Sequence, residues 1–140
     1  MAYYGESFHS LDSAKRLIIP TRFRDALGNE IIVYKADEGC LFLYDTARFD
    51  EITAKLDSFT RTASERAKLR LFYSCVTQLS VDRTGRIVLP ADCLEYAGIT
   101  TEVALLGAKN RIELWDKDAY VANTGDKDAL PASMFPDMEL

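Results

Sequence analysis

The chain has 140 residues, 48% hydrophobic and 28% charged, enough to bury a core within one domain-sized unit. No apolar run approaches the roughly 20 residues that span a bilayer, and the start, Met1 to Glu6, has neither the basic nor the apolar region of an export signal, so a cytoplasmic protein without a membrane partner is expected. The net charge of −5 excludes a uniformly basic surface, but six acids against two lysines give residues 116–140 a net of −4 and leave residues 1–115 at −1. Within that part, residues 15–24 hold Lys15, Arg16, Arg22 and Arg24 and no acid, a local basic face of the kind that steers a polyanion.

In chain order, a short strand leads to Asp12, a turn runs to Arg16, and Arg16-Leu-Ile-Ile19 forms a β-branched strand closed by Pro20. The fixed φ of Pro20 suits a helix start, and Gly28 is placed to end that helix. Two further strands, Ile31 to Tyr34 and Leu41 to Asp45, flank a turn over residues 35–39. Asp45 then caps a helix carrying Phe49, Ile52 and Leu56 on one face. Thr62-x-x-Glu65 is a capping box opening a second helix, with Leu69, Phe72 and Tyr73. These aromatics and leucines are expected to serve core or subunit contact rather than a cofactor.

The first string of elements then recurs. Leu11-Asp12-Ser-Ala-Lys-Arg16-Leu-Ile-Ile-Pro20 aligns without a gap on Val81-Asp82-Arg-Thr-Gly-Arg86-Ile-Val-Leu-Pro90. Gly98 corresponds to Gly28, Val103 to Leu106 forms the next apolar run, a turn is expected over residues 107–110, and Ile112 to Asp116 is the last strand before a short helix to Val121. The fold class is therefore α+β, with tandem β-α-β-β modules whose strands are too short for separate sheets, so the two copies should complete each other around one core. The chain divides into a first repeat at 5–48, connecting helices at 49–74, a second repeat at 75–120, and an acidic, mobile tail at 121–140.

Cys40, Cys75 and Cys93 are odd in number and lack Cys-x-x-Cys or His-cluster spacing, so they are expected as buried thiols, with no disulfide framework and no metal site. The lone His9 lies in a strand and is assigned to packing or to bonding the turn, since no Ser or Cys stands beside it in sequence.

The sharpest feature is Asp-x-x-x-Arg at the same place in both copies. Asp82-Arg-Thr-Gly85 makes a sound turn by itself, yet turn chemistry has no need of Arg86. The first copy keeps Asp12 and Arg16 while replacing the glycine with Lys15, so the copies agree on the charged pair and not on the turn residue. A carboxylate across a turn can hold a guanidinium ready to fork onto a phosphate or onto guanine O6 and N7. Asp12, Lys15, Arg16, Arg22, Arg24, Asp82, Arg83 and Arg86 are accordingly the candidate DNA-binding residues.

At these residues the chain resembles the MraZ family. The likeness runs through Gly5-Glu-x-x-His9-x-Leu-Asp12, Arg16-x-x-Ile19-Pro20, Gly39-Cys-Leu-x-Leu-Tyr44, Asp82-x-x-Gly-Arg86-Ile-x-x-Pro90 and Asn110-Arg-Ile-Glu-x-Trp115-Asp, to about Tyr120. It implies a fold related to the AbrB swapped-hairpin barrels and a ring of octamer or dodecamer size. It also implies binding to guanine-rich direct repeats in double-stranded promoter DNA, with repression of the protein's own division and cell-wall operon at the nucleoid. The family's two Asp-x-x-x-Arg signatures fall on Asp12 with Arg16 and on Asp82 with Arg86. Members usually carry Gly where this chain has Lys15, so the resemblance does not carry over the shape of the first turn.

No Gly-rich phosphate loop, metal-ligand spacing or nucleophile elbow occurs, so no catalytic residue, cofactor or small-molecule substrate is assigned. The alternative is an oligomeric scaffold or antitoxin-like partner-binding protein of the same fold, which would keep the apolar helices without needing the basic turns.

Overall fold

The computed structural model describes residues 2–124 together with Phe135 and Asp137; most of the expected acidic tail lies outside these described residues. In chain order the elements are β1 (Tyr3–Ser10), β2 (Arg16–Ile18), α1 (Thr21–Leu27), β3 (Glu30–Lys35), β4 (Leu41–Asp45), α2 (Thr46–Phe59) and α3 (Ala63–Ser74). The order of the first five then recurs as β5 (Val76–Ser80), β6 (Arg86–Val88), α4 (Ala91–Ala97), β7 (Glu102–Lys109) and β8 (Ile112–Asp116), before α5 (Lys117–Thr124). The architecture is mixed α+β, with antiparallel pairing in both sheets.

Neither copy forms a sheet of its own. The larger sheet runs β1-β7-β8-β4-β3-β5, so the first strand of each copy lies against the third strand of the other, while β2 and β6 pair separately as a two-stranded ribbon. The register is close to two-fold symmetric. Leu17 faces Ile87 at the middle of the ribbon, and Phe42 faces Glu113 between the pairs Leu41 with Leu114 and Leu43 with Ile112. Strands of three residues are too short to stand alone, and the exchange gives each a partner.

One core joins the copies, and its residues correspond in pairs: Leu17 with Ile87, Ile19 with Leu89, Phe23 with Cys93, Leu27 with Ala97, Val33 with Leu105 and Leu43 with Leu114. Each large aliphatic side chain among them contributes about 1.5–3 kcal/mol on burial. On the opposite face of the large sheet, Phe42, Ala36 and Cys40 form a smaller cluster with Tyr34, Tyr44 and Trp115. Phe49 from α2 and Phe72 from α3 stack against each other at 6.1 Å and meet Tyr44 and Tyr34 respectively, which anchors the connecting helices there.

The predicted caps form. Asp45 Oδ1 accepts from the Arg48 N–H at 2.8 Å, so α2 begins at Thr46 and takes in residues 46–48 from the end of the first repeat. At α3, Thr62 Oγ1 accepts from the Glu65 N–H at 3.1 Å and Glu65 Oε1 accepts from the Thr62 N–H at 2.9 Å. Pro20 and Pro90 stand one position outside their helices, as N-caps. α5 continues past Val121 to Thr124.

The turn expected over 107–110 is shorter than that. β7 continues to Lys109 because all eight residues of β1 pair along it, from Tyr3 opposite Lys109 to Ser10 opposite Glu102. Gly107 is a strand residue against which β1 passes so closely that a Cβ would overlap the backbone of Tyr3 and Tyr4. The bend falls at Asn110 and Arg111, with Lys109 at φ 68°. Cys40 and Cys93 are buried as expected, and burial pushes the Cys40 thiol up to about 12. Cys75 differs: it caps the end of α3 and is only half-buried.

Candidate nucleic-acid interface

Each Asp-x-x-x-Arg forms one compact unit in which the two carboxylate oxygens divide the work. Asp12 Oδ1 accepts from the N–H groups of Ala14 and Arg16, both at 2.9 Å, which closes the turn. Its Oδ2 accepts from Arg16 Nε at 2.6 Å. In the second copy Asp82 Oδ1 accepts from the N–H groups of Thr84 and Arg86, and from Thr84 Oγ1, all at 2.9 Å, while Oδ2 accepts from Arg86 Nε at 3.0 Å. The pair and the bend are therefore one device. The Nη groups of both arginines make no hydrogen bond among the described residues, so each guanidinium is oriented through one nitrogen, Nε.

The first turn has the same backbone shape despite its different residue. Lys15 stands at φ 61° where Gly85 stands at φ 81°, and each N–H donates to the carbonyl of its own Asp at 3.0 Å. Each turn is also tied to the other copy. The Ile19 N–H donates to the Gly85 carbonyl at 2.8 Å, and the Leu89 N–H donates to the Lys15 carbonyl at 3.0 Å.

Asp12 and Asp82 are both held below the usual carboxylate range. For Asp12 the Arg16 N–H has the largest effect, with the Arg16 side chain and the Ala14 N–H adding to it. Asp82 is pulled from 3.8 to about 2, again chiefly by the backbone N–H of its arginine, with Thr84 and the Arg86 side chain adding to it. Both carboxylates are thus charged at neutral pH and keep their arginines oriented there.

Strand pairing brings the two units onto one surface. Arg16 lies opposite Val88 and Arg86 opposite Ile18, on the face of the ribbon turned away from the buried Leu17 and Ile87. Lys15 and Arg83 are exposed on the adjoining turns. Arg24, from α1, donates from Nε to the Ile19 carbonyl at 2.7 Å, and its guanidinium stands where a Cβ of Gly85 would be. Arg22 makes its contacts elsewhere, with its neighbour Phe23 in α1 and with β1. It lies over the Phe23 ring at 4.7 Å and donates to the Glu6 carbonyl at 3.3 Å. His9, within β1, shares a 3.0 Å hydrogen bond with Ser7 Oγ, and burial together with the Arg22 charge pushes its imidazole below the ordinary value. Among the described residues no three His, Cys, Asp or Glu side chains come together as a metal site, and no helix is long and apolar enough to cross a membrane.

Two stretches, residues 2–71 and 72–129, match the family described as "MraZ protein, putative antitoxin-like"; the first contains the Asp12–Arg16 turn and the second the Asp82–Arg86 turn. The chain belongs to the MraZ family. Among its relatives, a protein of Acetivibrio thermocellus named Transcriptional regulator MraZ is 36% identical, covering 99% of this chain and 97% of its own. Proteins of the same name from Moorella thermoacetica and Desulforamulus reducens are 38% and 42% identical, covering 99% and 84% of this chain and 99% and 84% of their own.

In this MraZ-family chain, reading the sequence as charges missed two residues of the shared face. Ile18 and Val88 stand beside the arginines and are 48% and 56% exposed. The signal was available in the period-two alternation of both strands. Arg16 and Ile18, like Arg86 and Val88, point one way, while Leu17 and Ile87 point the other.

Proposed function

We propose that this chain is a sequence-specific DNA-binding transcriptional regulator that acts as a ring oligomer on direct repeats in promoter DNA. The observation that carries the reading is the pair of carboxylate-held guanidiniums, one from each copy, on a single outward face of the β2–β6 ribbon. The major groove admits a two-stranded ribbon, and an arginine fork matches guanine O6 and N7 there. Lys15, Arg24 and Arg83 around the turns suit the flanking phosphates. The relatives' shared name supports regulation of transcription, and the family resemblance supports repression of its own operon at the nucleoid. The exchange of first strands between the copies supports an AbrB-like swapped-hairpin barrel.

The ring reading rests on the connecting helices. α3 buries none of its own residues, and Phe59 and Leu71 are 70% and 68% exposed. Such surfaces favour association.

A gel shift of the purified protein against its promoter DNA tests the proposal. A discrete complex that survives excess unrelated duplex is expected. Binding that does not distinguish promoter from unrelated DNA would remove sequence-specific regulation, and no binding at low salt would favour a scaffold.

A further inference from the structure

The outward face of the ribbon is a checkerboard of two chemistries. Arg16 is opposite Val88 and Ile18 is opposite Arg86, so two guanidiniums occupy one diagonal and two branched aliphatic side chains the other. Strand propensity does not account for Ile18 and Val88, because threonine serves a strand as well and suits a solvated face better. Core packing does not account for them either, since both are about half exposed while Leu17 and Ile87 beneath are fully buried.

A surface that fits this face must offer acceptors for the guanidiniums and apolar groups beside them. The major-groove edge of a duplex does so: guanine presents O6 and N7, and the C5-methyl of thymine is the apolar group of that groove. Spacing agrees as well. Residues two apart on a strand are separated by about 6.7 Å, close to two base-pair steps of about 3.4 Å each.

Resting on the DNA-binding reading above, we propose that Ile18 and Val88 are specificity-determining residues. Each packs on a thymine C5-methyl group beside the bases engaged by Arg16 and Arg86. The two copies differ in size at this position, Ile against Val, so the two contacts are unequal.

The test uses the full chain and a duplex that it selects from a random pool. That duplex is resynthesised with deoxyuridine in place of thymidine, position by position, which removes one methyl group and alters no hydrogen bond. At one or two positions the wild-type protein is expected to bind the deoxyuridine duplex about fourfold more weakly, the change for one buried methyl-sized group. The double variant Ile18→Ser with Val88→Ser, checked for folding by circular dichroism, should lose this discrimination while still preferring the selected duplex over unrelated DNA. Equal wild-type affinity for thymidine and deoxyuridine at every position would overturn the inference, even if the variant failed to fold. The same holds for a selected sequence without thymine, or for a folded variant that keeps the discrimination. Failure to enrich any sequence would overturn the DNA-binding reading itself, and this inference with it.

Discussion

The Arg24 guanidinium occupies the space that a Cβ on Gly85 would need, and its Nε donates to the Ile19 carbonyl at 2.7 Å. Because the Ile19 N–H donates to the Gly85 carbonyl, α1 of the first copy covers the turn of the second. The reverse cover is missing. The residue corresponding to Arg24 is Leu94, which belongs to the core, and the residue corresponding to Gly85 is the exposed Lys15. This asymmetry explains why the second turn keeps glycine while the first carries a side chain.

Gly85→Ala should therefore cost at least the roughly 1–2 kcal/mol of a left-handed non-glycine residue, and should also displace Arg24. Lys15→Gly relieves the same strain, partly offset by a freer unfolded chain, so its stability should be unchanged or slightly higher. Loss of the lysine cation should weaken DNA binding for all sequences and lower the salt slope by about 1 per engaged turn. Thermal melts with titrations at several salt concentrations check both variants.

Arg16→Ala and Arg86→Ala should each remove a base contact of about 1–3 kcal/mol per site, with little change in melting temperature. In a multivalent assembly the loss is multiplied. A folded variant with wild-type affinity at two salt concentrations would show that its arginine makes no contact.

Lowering pH should weaken the second turn in a defined window. The folded-state pKa of Asp82 is depressed to about 2 from 3.8, so its contribution to stability is fully present above about pH 4 and is lost as pH falls through about 2. The difference in melting temperature between wild type and Asp82→Asn should be constant from pH 7 to about 5 and shrink below about 4. A difference that shrinks between pH 7 and 5 would assign the effect to another group.

Light scattering should report a mass several times the 15.7 kDa of one chain. Phe59→Ser combined with Leu71→Ser should lower it, since both side chains are exposed on the connecting helices. A monomer at micromolar concentration would rule out the ring.

A cyclic assembly of head-to-tail subunits presents the same ribbon at regular intervals and should read direct repeats near one helical turn, about 10 to 10.5 base pairs apart. Affinity should rise steeply from one repeat to two, and inserting about 5 base pairs between them should abolish the gain. Equal affinity for in-phase and half-turn-shifted repeats would exclude this mode.

The sequence alone shows the duplicated order of elements, the caps at Asp45 and Thr62, and the recurrence of Asp12 with Arg16 and of Asp82 with Arg86. These are local facts: periodicity, capping chemistry and turn chemistry act within a few residues. It left open whether Lys15 would bend like Gly85, since that depends on whether anything covers the turn. It placed a turn at 107–110 because Gly107 resembles a turn glycine until β1 is laid against it. The pairing of β1 with β7 and of β5 with β3 emerges in the folded chain alone, because strand partners are chosen by side chains distant in sequence burying one another. That exchange brings β2 beside β6 and so sets Arg16 and Arg86 on one face with Ile18 and Val88. No span of residues read alone contains that surface, because half of it comes from each copy.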